Sequence, residues 1–307
     1  MIVAWTLLLL AGLGVTILSS HQTLESARAV AHKMNLSPFV IGMTVVAVGT
    51  DLPEIANSIT ASATGHGDIN VGDSIGSVVT QITLVLALLC AMRPIRADRT
   101  FVAVSGLITV LAVLIGAALM SDQAISRTDG LVLLSFWLVG TIAVQRTGHI
   151  VTQHQPRLFA RRTLRDVRQL VVGLGGVALG AIAAVRAFTE LAEAFDVPEY
   201  TTSFLVLSLG TSLPELAIDG YAIRKGESSL ALGDIIGSSF VDATLSLGIG
   251  PTLFPIAVSP QAATGSLVAT AVVAMTILFL LARPEHDRRS TVVLLVLCAG
   301  AYSVLIA

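Results

Sequence analysis

Charge is what this chain has least of. Asp, Glu, Lys and Arg make up 12% of its 307 residues, about half the share of an ordinary soluble domain. The net charge of −2 offers no basic surface for nucleic acid. Cysteine is nearly absent too. Cys90 and Cys298 both lie in apolar runs, which argues against a disulfide framework and against a thiolate metal site. No Lys or Arg precedes Arg28. The first apolar run therefore lacks the basic flank of a signal peptide and reads as a retained span.

What is present is apolar. Hydrophobic residues make up 54% of the chain, and 26 glycines accompany them, as is common where helices pack closely in lipid. Crossing ~30 Å of hydrocarbon takes about 20 residues. Ten stretches come near that length: 2–19, 38–63, 70–92, 100–120, 130–145, 168–188, 200–222, 230–254, 262–282 and 290–306. The fifth is the shortest. The expected fold is an all-α polytopic membrane protein of ten transmembrane helices.

Ten spans put alternate connections on opposite sides. The set 20–37, 93–99, 146–168, 223–229 and 283–289 carries nearly all the Lys and Arg, with only Arg127 and Arg186 opposite. Basic loops stay in the cytoplasm, so both termini are expected outside, in the cell membrane. Residues 189–199 hold Glu190, Glu193, Asp196 and Glu199. They read as a solvated outer loop, or as a gatherer of cations. The basic stretch 146–168 reads as a cytoplasmic linker near anionic lipid.

The chain also repeats itself. Gly49-Thr50-Asp51-Leu52-Pro53-Glu54 returns 161 positions later as Gly210-Thr211-Ser212-Leu213-Pro214-Glu215. The same shift matches Gly72-Asp73-Ser74-Ile75-Gly76-Ser77 with Gly233-Asp234-Ile235-Ile236-Gly237-Ser238 and sets Gln81 against Asp242. This gives a first five-helix repeat over 1–145 (core 38–92), the linker 146–168, and a second repeat over 169–307 (core 200–254). Five spans separate the motifs, and an odd number inverts the second copy. Inverted repeats place ion sites at the midplane, on the repeat interface.

Each motif sets a carboxylate and a proline in an apolar segment, and the bilayer makes both unfavourable unless they build something. Pro53 and Pro214 lack amide hydrogens, so carbonyls near Ala47–Thr50 and Ser208–Thr211 are freed. Thr50 and Glu54 share a helix face, as do Ser77 and Gln81, and Ser238 and Asp242. The glycines let these faces approach. An oxygen cage of this kind suits hard cations such as Ca²⁺. No His or Cys lies in the motifs, which argues against zinc or copper. If Asp51 faces the cavity, it forms a four-carboxylate cluster with Glu54, Glu215 and Asp242, and protons then compete with the cation. The alternative is a rim residue facing water. Asp73 and Asp234 read as interhelical hydrogen-bonding groups, His66 and Asp68 as loop residues, and Asp219 as lying near a cytoplasmic helix end.

At these residues the chain resembles the cation/calcium exchanger superfamily, most closely its sodium/calcium exchanger branch. The resemblance rests on Gly49–Glu54 with Gly72–Gln81, and on Gly210–Glu215 with Gly233–Asp242. It implies Glu54 and Glu215 as central Ca²⁺ ligands. It further implies hydroxyl or carbonyl ligands at Thr50, Ser77, Thr211, Ser212 and Ser238, an acidic helper at Asp242, and carbonyl donors at Ala47 and Ser208. Two residues depart from the pattern. Asp51 stands where the family has a small hydroxyl residue, and Gln81 where the sodium-coupled branch has Asn or Asp. Proton-coupled relatives carry Gln in that region, so both departures bear on the coupling ion. Val78 and Ser239 replace a frequent Asn and receive no role.

The expected function is secondary antiport of Ca²⁺ against Na⁺, in the direction of Ca²⁺ efflux, with H⁺-coupled or K⁺-dependent exchange as the alternative. No cofactor is expected; the partners are the transported ions and the bilayer. The oligomeric state is left open, with a monomer plausible. A cation channel is a rival class. An intramembrane aspartyl protease would use Asp73 and Asp234 but leaves both Pro-Glu elements unexplained, so no enzyme is expected.

Overall fold

A computed structural model describes residues 2–34, 37–151, 163–192 and 203–306. The first half runs α1 (Ile2–Met34), α2 (Pro38–Thr50), α3 (Leu52–Ala63), α4 (Gly67–Met92), α5 (Arg99–Leu119) and α6 (Arg127–Val151). The second half runs α7 (Thr163–Ala192), α8 (203–211), α9 (Leu213–Lys225), α10 (Ser228–Leu253), α11 (Pro260–Ala282) and α12 (Arg288–Ile306). Four two-residue strands, β1 (Ile95–Arg96), β2 (Ala124–Ile125), β3 (Ile256–Ala257) and β4 (Glu285–His286), interrupt the expected all-α character.

Helix starts follow their sequence signals. Ser37 accepts from the Val40 amide at 3.2 Å ahead of Pro38. Asp98 caps α5 through Thr100 and Phe101, and its repeat counterpart Ser259 caps α11 ahead of Pro260. Such caps satisfy amides that have no partner within the helix. At the start of α12, Asp287 accepts from the Arg289 amide at 2.9 Å. Backbone amides there hold its carboxyl below the ordinary value.

The repeat is visible in the backbone. π-helical turns occupy Gly42–Val46 and Ser203–Leu207, and again Thr80–Val85 and Asp242–Ser246. Equivalent helices run antiparallel. Along α7 the sites Gly173, Gly176 and Gly180 face Thr23, Ser19 and Gly12 of α1 in descending order. Strands pair across the halves, β1 with β4 and β2 with β3. Inverted equivalence is therefore a property of the packing as well as of the motif.

Apolar side chains face outward and polar ones inward. Leu18 is 77% exposed and Leu179 69%, whereas Thr50, Asp51, Glu215 and Asp242 are 0% exposed. That inversion suits a lipid surround. Six helices are long and apolar enough to cross a membrane, and the bent α2–α3 pair makes a seventh if it is one span. The ten expected spans are thus met in part by this criterion.

Several expected boundaries move. α1 runs on to Met34, so most of the supposed loop 20–37 is helix. Leu24, Ala27 and Val30 give it a buried face that a hydropathy window does not register. The fifth stretch is longer than expected, spanning Arg127–Val151. The linker is helical as far as Val151 and from Thr163; residues 152–162, with Arg157, Arg161 and Arg162, lie outside the described residues. So do Glu193, Asp196 and Glu199 of the acidic loop.

Connections group as alternating sides require. Arg93 donates to the Arg224 carbonyl at 3.2 Å, and Arg96 lies 4.0 Å from Glu285. At the other end Ser259 donates its amide to Asp68 at 2.8 Å, and Arg127 reaches the Leu253 carbonyl.

Candidate cation site

The site forms where the two hinges meet the π turns at Thr80–Val85 and Asp242–Ser246. α2 and α3 bend by 45° at Asp51. Asp51 (φ −81°, ψ 9°) and Ser212 (φ −80°, ψ 6°) share one backbone conformation, with Pro53 and Pro214 in the next turn. With no amide on Pro53, the Gly49 carbonyl has no helical donor; the same holds for Gly210. Each π turn adds a residue to its helical turn and re-aims the side chains after it, as at many functional sites.

Four carboxylates converge. Oxygens of Asp51, Glu54 and Asp242 lie within 4.8 Å of one another. Glu215 faces Asp51 and Thr50 from the second repeat. Asp51 is buried, so the structure favours the cavity over the rim. Hydroxyls pair across the interface: Thr50 with Ser238 at 3.2 Å, and Ser77 with Thr211 at 3.1 Å. These two contacts are copies of each other under the 161-residue shift. Gln81 donates to Asp242 at 3.0 Å. Those residues are repeat counterparts, and a residue that touches its own counterpart sits on the pseudo-two-fold axis.

Many of these oxygens lack a protein partner. Both oxygens of Asp51, Glu54 and Glu215, Oδ1 of Asp242 and the Ser212 hydroxyl find no hydrogen bond. Leaving one buried polar group unsatisfied costs about 1–3 kcal/mol, and more when it is charged. Among the described residues no Lys or Arg pairs with these acids. The donor set is hard oxygen throughout and carries formal negative charge, which fits a hard cation.

The Ala47 and Ser208 carbonyls are less free than expected. The Ala47 oxygen accepts from the Asp51 amide and the Thr50 hydroxyl, both at 3.0 Å. The Ser208 oxygen accepts from the Ser212 amide at 3.1 Å and from Thr211 at 3.4 Å. The Ser208 hydroxyl donates to Phe204. Asp219, expected near a wet helix end, is wholly buried beside Asp234.

Two supporting residues, Asn57 and Ser239, were not anticipated at the site. Asn57 donates to Asp73 at 2.7 Å, and Asp73 accepts from Thr211 at 3.0 Å, so one chain of bonds orients a site hydroxyl. Ser239 donates to the Gln81 carbonyl oxygen at 3.1 Å and turns the Gln81 amide nitrogen toward Asp242. The spacing of Asn57, three residues after Glu54, was an available signal. Ser239 had none beyond its adjacency to Ser238.

Comparisons with known proteins agree with this geometry. The family model for "Sodium/calcium exchanger protein" matches residues 4–144 and again 167–307. Inner membrane protein YrbG of Escherichia coli is 30% identical over 84% of this chain and 82% of its own length. Sodium/calcium exchanger MaX1 of Methanosarcina acetivorans is 24% identical over 82% and 84%. A structure of the sodium-calcium exchanger NCX_Mj, soaked with 10 mM Na⁺ and 10 mM Sr²⁺, superposes with a TM-score of 0.81 at 27% identity, covering 99% of both chains.

Proposed function

The chain belongs to the sodium/calcium exchanger protein family, and from that premise we propose that it exchanges Ca²⁺ for Na⁺ by alternating access. One observation carries this reading. Four buried carboxylates, two from each inverted repeat, meet on a pseudo-two-fold axis with most of their oxygens unpartnered. Ca²⁺ binds between Glu54 and Glu215, which balance its charge, with Asp51 and Asp242 as further oxygens whose charge Na⁺ or protons offset. The Thr50–Ser238 and Ser77–Thr211 hydroxyl pairs take Na⁺ ions beside it, with Ser212 as a further oxygen. Gln81 holds Asp242 in place, and Ala47 and Ser208 contribute carbonyls when the hinges open. Ca²⁺ offsets two of the four formal negative charges, and co-bound Na⁺ or protons offset the rest, so that little bare charge crosses the membrane.

Ten spans complete the architecture. α7, the α8–α9 pair and α12 fall outside the length-and-composition test, yet they repeat α1, the α2–α3 pair and α6, which meet it. The basic ends, where Arg93 meets Arg224, face the cytoplasm, and both termini lie outside. The sodium gradient then drives Ca²⁺ out across the cell membrane. α1 and α7 pack chiefly on one another. They slide as a pair over the core and expose the site to one side and then the other.

Asp51 and Gln81 favour a second reading, in which H⁺ replaces Na⁺ as the driving ion. Ca²⁺ uptake into proteoliposomes under imposed Na⁺, K⁺ or H⁺ gradients, one at a time, decides. Uptake driven by outward Na⁺ is expected. Uptake that follows only the H⁺ or K⁺ gradient overturns the sodium coupling.

A further inference from the structure

The repeats differ one turn away from the central site. In the first, Ser58 accepts from the Gly250 amide at 3.1 Å, and Asp73 is held by Asn57 and Thr211. Each of these three side chains has a partner. The counterpart of Ser58 is Asp219, of Asp73 is Asp234, and of Asn57 is Ile218. The second corner has therefore gained a carboxylate and lost its amide donor. Asp219 and Asp234 lie within hydrogen-bonding reach of each other, both 0% exposed, and no other group of the protein bonds to their four oxygens.

A third unpartnered carboxylate belongs to this corner. Glu215 stands four residues before Asp219 on α9, ~6 Å along the helix axis, and acts electrostatically on both aspartates. Asp219 lies between Glu215 and the end of α9 at Lys225. Ile223 and Ile235, both buried, stand where the other repeat has Ser62 and Ser74. The two carboxylates therefore have fewer polar groups around them than their counterparts, and no bond to the rest of the protein gives them a structural purpose.

We propose that Asp219 and Asp234 form a second cation station, taking a divalent ion of the Ca²⁺ class between the central site and the α9–α10 end. Two carboxylates balance a divalent charge and offer up to four oxygens; water completes the shell, and the charge of Glu215 favours a cation there from a distance. The first repeat has no such station, so the two ways out of the site are chemically unequal. A cation leaving toward residues 226–227 passes through an acidic stop, and one leaving the other way does not. The directional meaning rests on the antiport reading; the binding itself does not.

The test is equilibrium binding of ⁴⁵Ca²⁺ to the purified full-length protein with the central site disabled by Glu54→Gln and Asp242→Asn. That variant is expected to keep one bound Ca²⁺ per chain, lost when Asp219→Ser and Asp234→Asn are added. Because either set could impair folding, monodispersity and melting temperature are followed for each. Asp219→Ser and Asp234→Asn are also made alone in the otherwise unaltered protein, where loss of one Ca²⁺ per chain is expected. A disabled-site protein that is folded but binds no Ca²⁺ overturns the proposal and leaves a protonated acid pair as the alternative. Binding that survives removal of both aspartates overturns it as well. Failure of Na⁺-driven uptake in liposomes, with this binding intact, counts against antiport and not against the station.

Discussion

Glu54 and Glu215 carry the same chemistry from opposite repeats, and neither has a protein partner for its charge. Replacing either with Gln removes one negative charge from a cage that binds by charge. Breaking one side of a buried charge interaction costs about 3–5 kcal/mol, so Ca²⁺ affinity should fall ~100-fold or more. Calorimetric titration of each variant checks this, with retained monodispersity required. Equal loss in both is expected, since the repeat relates them. Asp51 has no acidic counterpart; Ser212 stands opposite. Asp51→Ser should therefore leave a working three-carboxylate site that protons contest less. Ca²⁺ binding measured from pH 5 to 9 should lose less at the acid end than in the parent protein. An unchanged profile would remove Asp51 from the site's charge balance. Glu54 and Glu215 were legible as candidate ligands because identical residues recur at one shift. Asn57 and Ser239 were not, since their importance lies in what they touch across the interface, and spacing along one helix does not carry that information.

Among the elements, the four site helices meet by backbone approach. A Cβ at Gly237 would fall 2.5 Å from Met43 Cα and 2.6 Å from its carbonyl oxygen. At the repeat counterpart Gly76 it would fall 2.8 Å from the Phe204 oxygen. Backbone cannot swing aside as a side-chain tip does, so Gly237→Ala must push α2 and α10 apart. Overpacking of this kind costs about 1–3 kcal/mol and would move Ser238 off Thr50. Gly175→Ala is the control, with nothing within 4 Å of the added carbon. Thermal unfolding in detergent should show a clear loss for Gly237→Ala and none for Gly175→Ala. Helix positions were legible from apolar runs and from Gly and Pro punctuation. Helix ends were less so. α1 continues to Met34 on an amphipathic face of Leu24, Ala27 and Val30, which an averaged hydropathy reads as a loop. The π turns were invisible, because one extra residue per turn leaves composition unchanged.

For the whole molecule, inversion has a mechanical consequence. Two antiparallel copies around one axis give two half-paths to a shared site, and exchange requires that only one be open at a time. Inversion was legible in the sequence because the motifs were expected to fall five spans apart; the asymmetry at Asp219 was legible only as an acid opposite Ser58, and its pairing with Asp234 was not, since that needed the contacts of both corners. The proposed alternating access also needs a body that moves, and the close packing of α1 on α7 makes that pair the candidate. Gly173, Gly176 and Gly180 meet Thr23, Ser19 and Gly12 with no room for a side chain between them. So close a seam holds the two helices together, and the sliding surface lies between the pair and the core helices α2, α3, α8 and α9. A bond across the seam should therefore leave transport running. Position 173 itself is too tight for a cysteine, since a Cβ there would sit 3.0 Å from the Thr23 nitrogen and 3.1 Å from its Cα; the bond is made instead between a cysteine pair flanking the seam, one on α1 and one on α7, with Cα atoms ~4.4–6.8 Å apart, the range a disulfide spans. Cys90 and Cys298 are buried and offer little background. With cross-linking confirmed by mass, Na⁺-driven Ca²⁺ uptake should stay within ~2-fold of the reduced protein, a change in barrier of about 0.4 kcal/mol or less. A loss of ~10-fold or more, about 1.4 kcal/mol, with Ca²⁺ binding near that of the parent and uptake restored by reduction, would mean that α1 and α7 slide against each other. The rigid-pair account would then be wrong, and the glycine seam itself would be the moving surface.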